Sequence, residues 1–369
     1  MREGAYSPLR IVSMGGGTGL STLLRGLKRY TKILAGPVEL TAVVAVTDDG
    51  GSSGRLRREF DVLPPGDIRN CMVALSEDEA LLSRLFQYRF TGAGSLRGHS
   101  FGNLFLTAMT HLTGDFSQAV KLSSEVLAVA GRIYPCTTAN VVLKATLAND
   151  RTVLGETRIA RSKSEIRRIE LCPRTAKPLP ETLEAIAEAD LITLGPGSLF
   201  TSVIPTLLVH GIPKALAASS ALKAYFVNLM TQPGETTGLR ASDHVAALLR
   251  HCAWGRSLLD VCVVNSEPFS RRALERYRAD GAQPVEADIP VIEQKGIRVL
   301  ATDLLRSGVR RVEDQIRHNP DALAATVIDL ARQGRQRKHK PTKSPISSQE
   351  ASKRGGNFPK TQTATTPSQ

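Results

Sequence analysis

Gly15-Gly16-Gly17-Thr18-Gly19 follows a short apolar run, Leu9 to Met14, and precedes leucines at helical spacing (Leu20, Leu23, Leu24, Leu27). A glycine turn between a strand and a helix is the setting a phosphate-binding loop needs. Without Cβ atoms the backbone can approach phosphate oxygens, and the free N–H groups and dipole at the helix start favour negative charge. The loop matches neither common fingerprint. A dinucleotide-binding G-x-G-x-x-G starting at Gly15 wants Gly or Ala where Leu20 stands, which weighs against an oxidoreductase, and a P-loop wants a Lys-Ser/Thr pair that this loop lacks. A tight turn without a ligand is the plainer alternative, but four glycines in five positions exceed what a turn requires.

Further loops carry chemistry of the same kind. Thr47-Asp48-Asp49-Gly50-Gly51-Ser52 ends the run Glu39 to Thr47, which reads as a second strand. Asp48 and Asp49 there could accept from ribose hydroxyls, hold a divalent cation or act as a base, with Ser52 as a further contact. An Asp-Gly turn with capping serines is the structural alternative. Pro64 to Asn70 reads as a rigid turn opening a helix, with Asp67 as its cap or a ligand contact and with Arg69 and Asn70 placed to reach an anion. In Gly98 to Asn103, Asn103 is the expected ligand contact. His99 is left open, because no Ser-His-Asp or metal-ligand spacing accompanies it. Gly195-Pro196-Gly197-Ser198 is a second phosphate cradle, with Gly195, Gly197 and Ser198 as its contacts, and the segment from Asn228 to Thr237 adds Asn228 and Thr231. Such loops at strand ends point to one shared crevice.

The elements that must carry these loops form an α/β pattern: a Rossmann-like, mostly parallel sheet flanked by helices. Leu9 to Met14, the following helix and Glu39 to Thr47 make a βαβ unit. Helical spacing covers Asp67 to Phe90, Asn103 to Leu112 and Ser117 to Val129, with Ser117 as cap, and Ile133 to Leu147 reads as extended. Arg151 to Glu170 reads as an exposed, polar excursion of short strands, a small subdomain over 150–172. Pro180 to Glu188 is a helix and Asp190 to Leu194 a strand. Ala215 to Ala218, Ala224 to Leu229 and Ser257 to Asn265 read as strands, and His244 to Cys252 as a helix. Arg311 to Arg332 is one or two helices, with Asn319 capping the last.

Hydrophobic residues at 41% and charged residues at 22% describe a folded chain of 369 residues, and 5% aromatics are few for a protein that grips bases by stacking. The net charge of +13 is concentrated in the tail: from Arg332 onward nine Lys and Arg stand against Glu350 alone, about +8 in all. The α/β domain is expected over 1–333, and 334–369 reads as a disordered basic tail making at most weak, salt-sensitive anion contact. Five scattered cysteines read as reduced core thiols. With no apolar stretch of 18 residues, no membrane span is expected and the protein is expected to be cytoplasmic.

Taken in order, VSMGGGTGLSTLLRGL, AVTDDGGSSGRLR, PPGDIRN, GHSFGNL, ITLGPGSLFTSVIP and NLMTQPGET resemble the YvcK-like gluconeogenesis factor family, related to 2-phospho-L-lactate transferase in the CofD-like superfamily. The resemblance runs from about Ile11 to Gln333. It implies a protein that binds a UDP-sugar such as UDP-N-acetylglucosamine and supports cell shape and wall synthesis on gluconeogenic carbon. A wall-synthesis protein partner and a homo-oligomer are expected with it. By position, Gly15 to Gly19 would hold the diphosphate, Asp48 and Asp49 would sit by the ribose or a cation, Asn103 by the ligand, and Gly195 to Ser198 by phosphate or sugar. The transferase relatives imply the alternative, a Mg²⁺-dependent transfer from a nucleotide-activated donor, with Asp48 and Asp49 as catalytic candidates.

Overall fold

The first apolar run forms β1 (Leu9–Gly15) and the second β2 (Val38–Val44), paired in parallel from Leu9 opposite Val38 to Gly15 opposite Val44. Their alternate residues enter two cores. Val12, Met14 and Val43 belong to one, and Leu9, Ile11, Leu40, Ala42 and Val44 to the other. Burial on both faces is why each strand reads as an almost unbroken apolar run. This computed structural model describes residues 7–33, 37–77, 81–162, 164–252, 258–305 and 316–339.

The remaining strands are β3 (Arg132–Pro135), β4 (Val142–Leu147), β5 (Thr152–Leu154), β6 (Ile166–Cys172), β7 (Leu191–Leu194), β8 (Leu222–Phe226), β9 (Val261–Asn265) and β10 (Arg298–Thr302). Seven form one parallel sheet in the order β10-β9-β8-β7-β1-β2-β3. The chain lays β2 and β3 on one side of β1, then returns to place β7 against its other side. The order therefore reverses between β1 and β7, and a crevice opens beyond the carboxyl ends of the strands at such a point. Met14 stands opposite Leu194, and the Gly195 N–H donates to the Met14 carbonyl at 2.9 Å, so the turns after β1 and β7 begin side by side.

The excursion is a second sheet, antiparallel, in the order β5-β4-β6, and it begins at Val142 rather than near residue 150. It is not wholly exposed. Alternation along β4 and β6 turns Leu143, Ala145, Leu147, Ile166, Ile169 and Leu171 into the main core while Arg167 and Arg168 face out, and Ile159 of the short Glu156–Ala160 helix is also buried. The isoleucines among the charges were its inner face.

Other expectations shift for local reasons. Ala215 to Ala218 belongs to an Ile212–Ala218 helix, since an alanine-rich stretch opened by Pro213 favours helix over strand. The Asp67 to Phe90 run is two helices, Gly66–Leu75 and Leu81–Gln87. The Phe116–Val126 helix is capped by Asp115, which accepts from the Gln118 N–H at 2.7 Å, and not by Ser117. Ile133 to Leu147 divides between β3 and β4, which lie in different sheets.

Asn319 caps the last helix as expected, accepting from the Asp321 N–H at 2.9 Å. That helix, Pro320–His339, runs through the expected boundary at Gln333. Arg335 donates to Asp190 at 2.8 Å and to the Ser7 and Pro8 carbonyls, Arg337 pairs with Asp260 at 2.7 Å, and Lys338 donates to the Glu188 carbonyl at 2.9 Å. Part of the basic tail is thus a structural clasp at the amino end of β7. Residues 311–315 and 340–369 lie outside the described residues, and with them the rest of the tail.

Among the described residues no single helix is long and apolar enough to cross a membrane; the apolar bent pair Leu199–Leu207 and Ile212–Ala218 contributes Leu199, Ile204, Leu207, Ile212 and Leu216 to the core. The cysteines are free thiols, all buried except the half-buried Cys172.

Arg335→Ala leaves the largely buried Asp190 carboxylate short of its shortest side-chain hydrogen bond. Urea unfolding is expected to show a loss of about 1–2 kcal/mol, and Arg335→Lys to recover only part of it.

Candidate nucleotide-phosphate site

The turn after β1 leads into the Gly17–Lys28 helix, whose N-cap is Gly16 with no side chain to satisfy the first N–H groups. The turn after β7 leads through Ser198 into a π-helical turn, Leu199–Val203. The two turns pack on each other: a Cβ on Gly19 would collide with the Pro196 carbonyl, so this position takes only glycine. Between them lies a cavity of about 290 Å³. Gly16 to Gly19 and Thr22 line one side, Pro196 to Ser198 the other, Asn228 to Met230 and Gln232 the end of β8, and Ile316 to His318 the segment before the last helix. The Gln232 amide donates to the Ser198 hydroxyl at 2.8 Å, joining the loop after β7 to the loop after β8. Of the expected contacts, Gly16, Gly17, Thr18, Gly19, Gly197, Ser198 and Asn228 meet here, while Gly15 and Gly195 lie beneath as the positive-φ residues that start each turn.

The carboxylates stand beside this cavity and do not line it. Asp67 is not a cap, since its helix starts from Pro65; its carboxylate reaches across to accept from the Gly17 N–H, and a Cβ on Gly16 would sit 2.5 Å from its Oδ2. Burial, and then the neighbouring Asp48, push Asp67 up to about 6 against the pull of the Gly17 N–H and Arg69. Asp48 accepts from the Gly50 N–H at 2.9 Å. Asp49 is turned away from the crevice and caps the Glu156–Ala160 helix, accepting from the Thr157 N–H at 2.8 Å and its hydroxyl at 2.6 Å. Its role is to tie the small sheet to the end of β2.

Two further acids complete the group: Glu156, unforeseen in the sequence, and Glu235 of the polar segment after β8. Glu156 accepts from the Thr47 hydroxyl at 3.2 Å, and burial followed by Asp48, Asp67 and Glu235 raises it well above the usual carboxylate range. Glu235 accepts from the N–H groups of Phe200 at 2.8 Å and Thr201 at 3.2 Å, and burial pushes it up to about 7. Among the described residues no three His, Cys, Asp or Glu side chains come together as a metal-ligand set. Asp48 and Asp67 fit only a cation that takes its remaining ligands from water and a bound phosphate.

The other expected contacts are internal. Arg69 is buried, its guanidinium donating to Ser100, to Asn103 at 3.0 Å and to Asn70 at 2.7 Å. Burial, and then Arg89, lower it to about 10. Asn103 passes its amide to Ser52 at 3.1 Å, and the Ser52 hydroxyl meets His99 Nδ1 at 2.9 Å. Arg69, Asn70, Asn103, Ser52 and His99 thus brace the helices behind the Asp67 loop and do not line the cavity. Thr231 exchanges hydrogen bonds with the Gln283 backbone and also lies outside it.

The family described as 2-phospho-L-lactate transferase CofD matches residues 11–305. The chain belongs to the CofD family. Within the family it groups with the gluconeogenesis factors: it is 46% identical over 324 residues to the gluconeogenesis factor of Bacillus subtilis, covering 88% of this chain and 98% of that one. It is 44% identical over 319 residues to that of Halalkalibacterium halodurans, covering 86% and 95%. A crystal structure of a UPF0052 family member from Bacillus halodurans superposes with a TM-score of 0.81 at 44% identity, covering 87% of this chain and 99% of that one.

Glu235 gives the site a pH signature. Its folded value of about 7 lies above that of the unfolded chain, about 4.3, so the stability it contributes is full below the latter and is lost as pH rises through the former. Glu235→Gln keeps the acceptor for Phe200 and Thr201 but cannot ionise. Between pH 5 and pH 8 the variant is expected to gain about 2–3 kcal/mol relative to the wild type in urea unfolding.

Proposed function

We propose that this CofD-family protein acts like the gluconeogenesis factors it resembles, binding a nucleotide sugar of the UDP-N-acetylglucosamine type, with its diphosphate between the two glycine turns, and relaying that occupancy to a wall-synthesis partner that maintains cell shape on gluconeogenic carbon. The observation that carries the reading is the pair of turns facing each other where the strand order reverses. Helix-start amides and small residues suit a diphosphate, although the Gly17 N–H is already taken by Asp67 and the Gly197 N–H by Asn228, and no carboxylate is among the described residues lining the cavity to repel one. The side chains there, Thr22, Ser198, Asn228, Gln232 and His318 among them, are binding groups without a nucleophile and base in contact, which favours a sensor. A homo-oligomer belongs to the same proposal.

Calorimetric titration of the purified chain with UDP-N-acetylglucosamine is expected to give saturable binding. No heat at millimolar ligand defeats the reading.

Asp48 and Asp67 beside the Gly17 amide favour a second reading, a transferase using a nucleotide-activated donor. Mg²⁺, held by these carboxylates and the donor's phosphates, would neutralise the charge on a departing diphosphate. On this reading Asp48→Asn and Asp67→Asn each reduce turnover and alter its Mg²⁺ dependence; unchanged turnover and Mg²⁺ dependence in both variants remove it.

A further inference from the structure

A second cavity, of about 180 Å³, shares no lining residue with the one between the glycine turns. It lies between β6 and the carboxyl end of the Ala241–His251 helix. Arg168, Glu170 and Arg174 line it from the small sheet and the turn after it, Arg250 and His251 line it from the helix, and Leu171 and Leu208 give it apolar surface. Glu170 is the one acid among these residues. Its side chain is only 11% exposed, and it gathers Arg168 Nε at 3.2 Å, Arg174, and Lys144 at 3.8 Å. Arg250 forms no ion pair with any described residue. Four cations against one carboxylate leave a local excess of positive charge, where a single arginine would have neutralised Glu170.

His251 adds no charge to this count. Its Nε2 accepts from the Ile169 N–H at 2.9 Å, so the ring proton is on Nδ1, which donates to the Ala247 carbonyl at 2.7 Å. Burial holds the ring below its ordinary value against the pull of that carbonyl, and the charges of Arg250 and Arg168 lower it further, so both guanidinium groups act on the same side chain. Glu170 meanwhile engages only Nε of Arg168 and one terminal nitrogen of Arg174, so each guanidinium keeps four of its five N–H donors. Two guanidinium groups held on one carboxylate, with a third beside the same cavity, repel one another until an anion enters.

We propose that this cavity binds the phosphate group of a small molecule, with Arg168, Arg174 and Arg250 as its ligands and Glu170 as the residue that positions the first two. A phosphate monoester carries about −1.5 to −2 at neutral pH, which offsets most of the excess, and guanidinium forks donate paired hydrogen bonds to its oxygens. The space equals about six water molecules at liquid volume. It suits a phosphate on a short carbon skeleton lying against Leu171 and Leu208 and is too small to enclose a nucleotide, so this site goes beyond the nucleotide reading and does not depend on it. The His251–Ile169 hydrogen bond already joins the helix to β6. An occupant held by Arg168 and Arg250 ties the same two elements a second time.

The test is an amide-detected NMR titration of the full chain with glycerol 3-phosphate, inorganic phosphate and glycerol. Glycerol 3-phosphate is expected to shift the backbone amides of Arg168 to Leu171, Arg174, Arg250 and His251 saturably, with an affinity that falls as NaCl is added, and glycerol to leave them in place. Inorganic phosphate binding as tightly as the ester assigns the site to the free ion, and weaker binding shows that the carbon skeleton is read as well. Arg168→Gln and Arg250→Gln, on different elements, are each expected to weaken binding at least about tenfold, while any shifts at Gly16 to Gly19 stay as in the wild type. No saturable shift at tens of millimolar ester, shifts confined to the glycine turns, equal shifts with glycerol, or an affinity indifferent to both substitutions overturns the assignment.

Discussion

The parallel pairing of β1 with β7 is the constraint on which the site depends. These strands are separated by more than 170 residues of chain, yet Met14 lies opposite Leu194 and its carbonyl takes the Gly195 N–H. Two glycine turns distant in sequence therefore start from neighbouring positions. A slip of one residue in this register would reverse the faces of every side chain in β7 and separate the turns. Burial of both strands on both faces opposes such a slip, so the large core that stabilises the domain also holds the cavity in shape.

Charge is arranged around that cavity with some separation of roles. The described cavity lining holds backbone amides, uncharged side chains and Arg317, while the acids gather beside the Gly17 turn. Asp67 already accepts from Gly17, which orients the turn before any ligand arrives. Burial, and then the nearby charge of Asp48, raise Asp67 and Glu156 toward protonation. The Arg69, Asn103, Ser52 and His99 network supports this acidic group from behind, with the Arg69 charge acting on Asp67 and the other three joined to it by hydrogen bonds.

Much of this was legible in residue order. The glycine turns announced themselves because they need special backbone freedom beside apolar strands, and the Pro180–Glu188 helix and the Asn319 cap follow local rules. What local rules could not supply were partners far along the chain. Asp49 looks like a ligand beside a glycine loop until Thr157 is seen to occupy it, and Asp67 looks like a cap until it reaches Gly17. Glu156 and Glu235 sit in segments of ordinary polarity, and only the packing of the small sheet and the π-helical turn buries them. The one available hint was the isoleucine pattern at 159, 166 and 169, which marked an inward face on a segment that reads as solvent-exposed. The basic residues at 335–338 misled in the opposite sense: their composition resembles a solvated tail, but their spacing continues a helix that had already begun at Pro320.

That final helix has a mechanical consequence. Its first residues follow directly on His318, Gly26 of the first helix rests against the Pro320 backbone, and its last turn grips Asp190 at the opposite end of β7 from the glycine turn. A rod of twenty residues, about 30 Å long, thus joins the cavity rim to the amino end of β7. Its far end is seated by Arg335 and Lys338 on the largely buried Asp190, so these ion pairs are mostly sheltered from water. The segment at the cavity rim is in this way anchored from the opposite end of β7.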